Sequence, residues 1–187
     1  MMDNKPKKET SFNKYINRAI KKWPNVPKCY GWLKLSRRGE WVLKQKKVQH
    51  KRTIQFLNEN YRTDENGNSY VQNGPQQVFV SLEYSPWIYR FNPHTGFLTH
   101  NQLLVDKVFT AICDEHGNFL IETSFGVGLV DDRDLSTLST FLVESAQEFD
   151  VLEHMNNRVK VINMTEQQIC NVYAFKREPA PTNANIK

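Results

Sequence analysis

The strictest constraint on the fold is the alternation of side chains along residues 77–84. In an extended chain, four apolar or aromatic side chains share one face here: Val78, Val80, Leu82 and Tyr84. The opposite face carries Phe79, Ser81 and Glu83. A period of two predicts a β-strand with one buried face. The turn 73–75 (NGP) separates this strand from a second one at 69–72, and Pro86 ends it. The chain therefore contains a β-hairpin, and an all-helical fold is excluded.

Further apolar segments predict the remaining elements. The predicted strands are a hairpin over 32–43 with its turn at 37–40, then 97–99, 107–113, 119–123, 159–163 and a closing strand at 172–176. Helical spacing of apolar residues predicts an amphipathic helix over 12–23 and helices over 50–61 and 131–145. The sequence Thr165-x-x-Gln168 is typical of a capping box that opens a short helix.

The order hairpin then helix occurs twice along the chain. Residues 37–43 (RRGEWVL) and 115–121 (EHGNFLI) are the matching hairpins, and each is followed by a predicted helix. This pattern predicts an α+β fold made of two tandem hairpin-plus-helix units. We expect disordered tails at 1–10 and 177–187, an N-terminal unit with the amphipathic helix at 11–92, and a C-terminal unit at 93–176.

Charge is divided unevenly along the 187 residues. Residues 1–60 carry 16 Lys or Arg and 4 Asp or Glu, whereas the rest of the chain is net acidic. The two parts can attract each other, or the basic part can meet an anionic partner. No apolar stretch is long enough to span a membrane, and the first residues lack the apolar segment of a signal peptide, so we expect a cytoplasmic protein.

Motifs for catalysis, metals and cofactors are missing from the sequence. Cys113-x-x-His116 supplies two donors where a metal needs three or four, and the glycines at 126 and 128 lack the third glycine of a dinucleotide loop. We therefore expect no metal site and no cofactor, and an enzyme is the least favoured class of function.

A cluster of polar and aromatic residues lies around the alternating strand and the predicted start of the second unit. Such side chains can fix a small molecule against an apolar wall. The candidate ligand-binding residues are Asn73, Gln76, Glu83, Tyr84, Trp87, Thr99, His100 and Asn101. Alternation places Glu83 opposite Tyr84, so we expect only one of the two at the interface. A tight turn with half-buried aromatic residues would explain the same pattern.

Basic residues interleave with aromatic ones in the first third of the chain, as in proteins that bind nucleic acids. The candidate contacts are Lys21, Lys22, Arg37, Arg38, Lys46, Lys47, Lys51 and Arg52. No known nucleic-acid-binding motif accompanies them. A solvated face that complements the acidic part of the chain, or a basic helix on an anionic membrane, would also account for them.

Two segments resemble an uncharacterised proteobacterial family: residues 23–33 (WPNVPKCYGWL) and 72–87 (QNGPQQVFVSLEYSPW). More distantly, Gly39-x-Trp41, Val48 and Leu98-Thr99-x-Asn101 are similar to the DUF1285 family. This resemblance implies two repeated α+β subdomains, the second superficially like a pleckstrin-homology domain. It also implies a ligand site at their interface and a role in bacterial signalling. The sequence departs from that family at His100 and over 102–105.

The resulting leading hypothesis is a non-catalytic protein that binds a small molecule or protein between its two units. The alternative is a nucleic-acid-binding protein. Binding of nucleic acid should weaken steeply with salt, whereas binding of a small molecule in a pocket should not. The oligomeric state is left open.

Overall fold

The computed structural model describes residues 28–144, 150–154 and 157–181. The predicted amphipathic helix over 12–23, the predicted tail at 1–10, and Lys21 and Lys22 lie outside these residues. In the described part of the chain, no helix is both long enough and apolar enough to cross a membrane.

The first half of the described chain forms a six-stranded sheet and one helix. Its elements are β1 (Cys29–Leu35), β2 (Trp41–Leu43), β3 (Lys46–Lys47), α1 (Lys51–Asn60), β4 (Tyr61–Thr63), β5 (Ser69–Asn73) and β6 (Gln76–Leu82). The strand order is β3-β2-β1-β6-β5-β4. β1 and β6 pair in parallel, with Leu33 beside Val80 and Leu35 beside Leu82, and the other neighbours are antiparallel.

The second half forms an eight-stranded sheet. Its strands are β7 (Trp87–Asn92), β8 (Gly96–Thr99), β9 (Val108–Cys113), β10 (Phe119–Thr123), β11 (Gly126–Val130), β12 (Leu142–Glu144), β13 (Asp150–His154) and β14 (Asn157–Asn163). Their order is β12-β13-β14-β9-β10-β11-β7-β8. A short helix α2 (Leu135–Leu138) lies between two 3-10 turns, and α3 (Glu166–Val172) follows β14.

The two sheets share one order of elements. Three antiparallel strands, a helical segment and three more strands follow one another in each sheet, and the first and last of the six strands pair in parallel. The hairpin β7–β8 extends the second sheet, with β7 parallel to β11. The fold is thus mixed α+β, as predicted, although strands dominate and the three α-helices of the described residues are short.

The first hairpins of the two sheets also have turns of the same build. Gly39 donates its N–H to the carbonyl of Ser36 at 3.0 Å, and Gly117 donates to Asp114 at 3.1 Å. Both glycines have φ near +75°, the left-handed region that disfavours other residues (72° and 76°). The side chain of Ser36 or Asp114 accepts further backbone N–H groups of its own turn.

The apolar core has two parts. The first is formed where the two sheets face each other and includes Leu33, Leu35, Val80 and Leu82 from the six-stranded sheet and Ile88, Ile112, Leu120 and Leu129 from the other. The second lies on the other face of the eight-stranded sheet and includes Tyr89, Phe91, Ala111, Ile121, Val130, Leu138 and Leu152. The eight-stranded sheet is therefore packed on both faces, whereas one face of the six-stranded sheet lies outside both cores of the described residues.

The predicted helix over 131–145 is wrong in extent. Only 135–138 are α-helical, and Leu142–Glu144 form an edge strand. The hydroxyls of Ser139 and Thr140 each donate to a carbonyl three residues back, at 2.8 Å, and such bonds compete with helix propagation. The leucine spacing was thus outweighed by local serine and threonine chemistry.

The predicted closing strand over 172–176 is also wrong. The capping box of Thr165 and Gln168 is confirmed, but α3 continues through Val172. An irregular segment follows over 173–181, which we call the C-terminal arm. This arm contacts the six-stranded sheet: Lys176 donates its N–H to the carbonyl of Gly67, and Leu82 donates to Arg177 (2.9 and 2.8 Å). Residues after the eight-stranded sheet therefore return to the first one.

Candidate functional site

A cleft of about 310 Å³ opens where the turns and strand ends of the two sheets meet. Its lining combines charged groups at the rim with an apolar floor. The lining residues are Ser36, Arg37, Arg38, Glu40 and Glu83 from the six-stranded side, and Asn118, Phe119, Leu129, Val130, Asp132 and Leu135 from the eight-stranded side. We call this site the Arg38 cleft.

The β1–β2 turn positions the two arginines of the cleft. The hydroxyl of Ser36 accepts the N–H of Arg38 at 3.3 Å and that of Glu40 at 3.0 Å, which fixes the backbone between them. Beneath the turn, a side chain at Gly39 would lie 2.7 Å from the Cβ of His100. The turn is therefore fixed by its own hydrogen bonds to Ser36 and by its close packing on His100.

Arg38 joins the two sheets through a bidentate ion pair. Its Nε and Nη2 donate to the two oxygens of Asp132 at 3.1 and 2.9 Å. The hydrogen bond raises the pKa of Arg38 and lowers the pKa of Asp132, so both stay charged. The two side chains are 53% and 60% exposed, and water therefore screens the pair.

Arg37 makes three contacts beside this pair. Its backbone N–H donates to Glu83 Oε2 at 3.1 Å, and its guanidinium donates to Asn118 Oδ1. The same guanidinium lies 4.9 Å from the ring centre of Tyr84, a cation–π contact. One side chain thus connects the β1–β2 turn, the end of β6 and the β9–β10 turn.

The hydroxyl of Tyr84 donates to Asp114 at the wall of this junction. Desolvation and the nearby Asp114 carboxylate raise the pKa of Tyr84 well above its usual value. Burial acts to raise the pKa of Asp114, but hydrogen bonds from Tyr84, Asn118 and the N–H of His116 outweigh it and hold the pKa below its usual value. The tyrosine is neutral and the aspartate charged at neutral pH.

The cleft combines charged side chains with an apolar floor. Two guanidinium groups face three carboxylates, those of Glu40, Glu83 and Asp132, and Glu40 is also paired with Lys47 at 2.5 Å. A polar molecule can exchange for the exposed partner of Arg38 while its apolar part contacts the floor. Among the described residues, no three His, Cys, Asp or Glu are grouped to hold a metal ion.

Of the eight predicted ligand-binding residues, Glu83 lines the cleft and Tyr84 lies next to it. The expectation that only one of the two reaches the interface is wrong, because β6 ends at Leu82 and the alternation ends with it. Glu83 contacts Arg37, and Tyr84 contacts Asp114.

Asn73 and Gln76 lie at the opposite end of β6 from Glu83. Seven strand residues separate the two ends, a length of roughly 20 Å. The amide of Gln76 donates to the sulfur of Cys29 at 3.2 Å. The structure therefore does not bring this turn and the cleft together.

Trp87 and His100 belong to a buried aromatic cluster. The imidazole centre lies 5.8, 5.3 and 5.4 Å from the rings of Trp41, Tyr61 and Trp87. Burial lowers the pKa of His100 to about 3. Its Nδ1 accepts a long bond of 3.5 Å from Ile88, and its Nε2 is the one buried side-chain nitrogen or oxygen of the described residues without a hydrogen-bond partner.

Thr99 and Asn101 are used in local structure near α1. The hydroxyl of Thr99 donates to Asn101 Oδ1 at 2.5 Å, and Asn101 Nδ2 donates to the carbonyl of Asn58 at 3.4 Å. Neither residue lines the Arg38 cleft. The candidate ligand-binding set is thus divided among four places: the cleft, the far end of β6, the aromatic cluster and the bonds near α1.

The candidate nucleic-acid contacts are also divided. Arg37 and Arg38 line the cleft. Lys46 and Lys47 form the edge strand β3, and Lys51 and Arg52 lie exposed in the first turn of α1.

Sequence reasoning missed Ser36, Asn118, Asp132 and the apolar floor of the cleft. The available signal was the pair of matching hairpin turns, since these turns supply Ser36, Arg37, Arg38 and Asn118 together. Asp132 carried no signal because it belongs to a segment interpreted as helix.

Comparison with known proteins gives a family and a fold. The family model DUF2944, described as "Protein of unknown function (DUF2946)", matches residues 12–180. No curated protein matches the chain.

Two solved structures are similar. One is a DUF1285 family protein from Silicibacter pomeroyi DSS-3, with 11% identity, a TM-score of 0.55, and coverage of 74% of this chain and 84% of that one. The other is a DUF1285 family protein from Shewanella baltica OS155, with 13% identity, a TM-score of 0.43, and coverage of 58% and 90%. The first match confirms the predicted resemblance to DUF1285 at the level of the fold.

Proposed function

Because the chain belongs to the DUF2944 family, whose function is unknown, we propose from its own residues that it is a non-catalytic binding protein whose ligand occupies the Arg38 cleft. The observation that carries this proposal is the position and lining of the cleft. It lies between the two sheets, and its charged rim surrounds an apolar floor. Its volume of about 310 Å³ is at the lower end of the range for small-molecule sites.

The Arg38–Asp132 pair is the part of the site that a ligand would engage first. Both side chains are more than half exposed, so the pair is weak and exchangeable. A carboxylate or phosphate can replace Asp132 on the guanidinium with the same bidentate geometry. Because the pair connects the two sheets, a ligand that displaces Asp132 from Arg38 would change the contact between them.

Ligand-detected NMR with a library of small carboxylates, phosphates and amines tests the proposal. We expect ligands whose signals weaken in Arg38→Ala and disappear in Leu135→Trp, since the larger ring fills the half-exposed edge of the floor. The control is Arg158→Ala, which removes an exposed arginine of β14 that is not part of the cleft lining. Ligands that bind all four proteins equally would contradict the proposal.

We infer that the two sheets arose by duplication of one unit, with the boundary between β6, which ends at Leu82, and β7, which begins at Trp87. Support comes from their shared order of elements and from the parallel pairing of the first and last of the six strands in each. The likeness of the second unit to a pleckstrin-homology domain, the role in bacterial signal transduction and the cytoplasmic location stay predictions.

Nucleic-acid binding is the second candidate function, and the charge of the first sheet favours it. Residues 28–62 contain ten Lys or Arg and two Glu. Polyanions are bound chiefly by such local excess of positive charge, and the binding depends strongly on salt. This function would use a different surface from the cleft.

A further inference from the structure

The six-stranded sheet has an outer face that belongs to neither core. Leu33 and Leu35 of β1 point into the first core, so Trp32 and Lys34 lie on the opposite face. By the same alternation, Val80 and Leu82 of β6 face inward, and Phe79 and Ser81 face outward. We call this opposite surface the outer face.

Aromatic side chains of three adjacent strands, β5, β6 and β1, form a row on the outer face. The strand pairing places Tyr70 beside Phe79, and the ring of Tyr30 stacks on Phe79 at 4.5 Å and 10°. Trp32 follows on β1 and is 51% exposed. Phe79 itself is covered, whereas Tyr30 and Tyr70 are half-buried, so three rings of the row have accessible surface.

Positive charges accompany the row at both ends and at its middle. Lys44 Nζ lies 4.3 Å from the Trp32 ring centre, and Lys28 Nζ lies 5.5 Å from that of Phe79. At the other end, Arg62 of β4 lies opposite Tyr70 in the strand register, and its Nη1 donates to the carbonyls of Glu59 and Tyr61 at 2.9 and 2.7 Å. Lys34, the next outward-facing residue of β1 after Trp32, is exposed.

Three carboxylates lie near this face. Glu178 accepts a hydrogen bond from Ser81 at 2.7 Å, and Glu40 is paired with Lys47 at 2.5 Å. Asp64 lies close enough to Tyr30 to raise the pKa of its phenol, second to the effect of burial. Four cations lie beside the aromatic row and outnumber these three carboxylates. They are Lys28, Lys34, Lys44 and Arg62.

We propose that the outer face binds single-stranded nucleic acid, with bases stacked on Trp32, Tyr30 and Tyr70 and phosphates contacted by Lys28, Lys34, Lys44 and Arg62. This inference rests on the second proposed function. A sheet face with exposed rings suits unpaired bases, because every base presents a π-face for stacking. Paired bases in a duplex cannot reach the rings, so the row selects single strands.

A matched control exists on the other sheet. Phe109 of β9 is 49% exposed, and Lys107 Nζ lies 6.0 Å from its ring centre. This pair has the same kind of contact as Trp32 and Lys44, but it stands alone in the net acidic part of the chain. Substitutions of Phe109 or Lys107 therefore remove an exposed ring or a cation that lies outside the proposed surface.

The test is fluorescence anisotropy of the full chain with labelled oligothymidylate and oligouridylate of about ten nucleotides, and with a duplex of the same length. We expect both single strands to bind more tightly than the duplex, and the comparison of the two distinguishes DNA from RNA. Trp32→Ala should weaken binding about tenfold, since stacking on one ring is lost, whereas Trp32→Phe and Phe109→Ala should have little effect.

Salt dependence gives an independent measurement. Lys44→Gln should lower the slope of log affinity against log salt by about 0.7, the value for one phosphate contact of a single strand, and Lys107→Gln should leave it unchanged. Equal effects at the two sites, or tighter binding of the duplex, would overturn the outer-face site while leaving nucleic-acid binding intact. Binding of neither strand would overturn both, and neither result bears on the Arg38 cleft.

Discussion

The hydroxyl of Tyr84 donates a hydrogen bond to the carboxylate of Asp114, and this bond links the end of β6 to the β9–β10 turn. Asp114 also accepts the N–H groups of His116 and Asn118, at 2.9 and 2.8 Å, and so holds its own turn together. The contact between the two sheets therefore depends on a residue that first organises a hairpin.

Tyr84→Phe is expected to destabilise the protein by about 1–3 kcal/mol, because Asp114 stays buried and loses one donor. Urea unfolding at neutral pH measures the change. The control Tyr70→Phe alters a half-exposed phenol on the outer face and should cost much less. Equal losses in the two variants would show that the Tyr84 bond adds no stability.

The raised pKa of Tyr84 gives a second expectation for that bond. The folded state holds the phenol proton more tightly than the unfolded chain, so the stabilisation is complete below the ordinary tyrosine pKa of about 10. It is lost as the pH rises above that value. Stability measured from pH 9 to pH 11 should fall less steeply in Tyr84→Phe than in the natural chain.

His100 is expected to make stability fall in weak acid. Its folded pKa is lowered to about 3, so between pH 7 and pH 5 the unfolded chain takes up a proton that the folded state does not. Stability should fall by about 2 kcal/mol over this interval, taking the ordinary histidine pKa of about 6.5.

Replacement of the imidazole isolates this effect. In His100→Phe the fall between pH 7 and pH 5 should disappear, whatever the absolute stability of the variant. His116→Gln, which alters an exposed turn histidine, should retain it. An unchanged pH dependence in His100→Phe would assign the fall to other groups.

Gly39 and Gly117 should respond differently to substitution by alanine, although both have left-handed backbones. Gly117 has open space where a Cβ would be, so the cost is backbone strain of about 1 kcal/mol. At Gly39 the new Cβ would lie 2.7 Å from the Cβ of His100, and overpacking adds about 1–3 kcal/mol. Thermal unfolding of the two variants measures the difference, and equal losses would contradict this account.

The C-terminal arm is expected to contribute to the stability of the first sheet. Phe175 is buried in the core between the sheets, and Phe175→Ala should cost about 3–5 kcal/mol. Val172, which is 65% exposed at the end of α3, provides the control, since Val172→Ala should change stability by less than about 0.5 kcal/mol. A small loss in Phe175→Ala would mean that the arm is only peripheral.

Local features of the fold were predictable from the sequence. The hairpin turns, α1 and the capping box of α3 depend on residues close together in the chain. Glycine marks the turns, the spacing of apolar residues marks α1, and Thr165 marks the capping box. The parallel pairings β1–β6 and β9–β14 were not predictable, because nothing in β1 identifies a partner so far along the chain.

The candidate site shows the same division. Glu83 and the two arginines were singled out for reasons that are each local, but the arginines were assigned to nucleic acid. Their role in the cleft appears only when Asp132 and Asn118 approach from the second sheet. His100 and Trp87 looked like ligand contacts because polar and aromatic residues mark cores as well as sites.

The parallel pairing of β1 with β6 also sets an order of events during synthesis. Leu33 and Leu35 cannot be covered by Val80 and Leu82 until those residues have left the ribosome. Contacts between distant parts of a chain form slowly, and exposed strands are prone to aggregate in the meantime. In the same way, β9 cannot pair with β14 until β14 has been synthesised. Each sheet of the nascent protein is therefore completed only when its last strand leaves the ribosome.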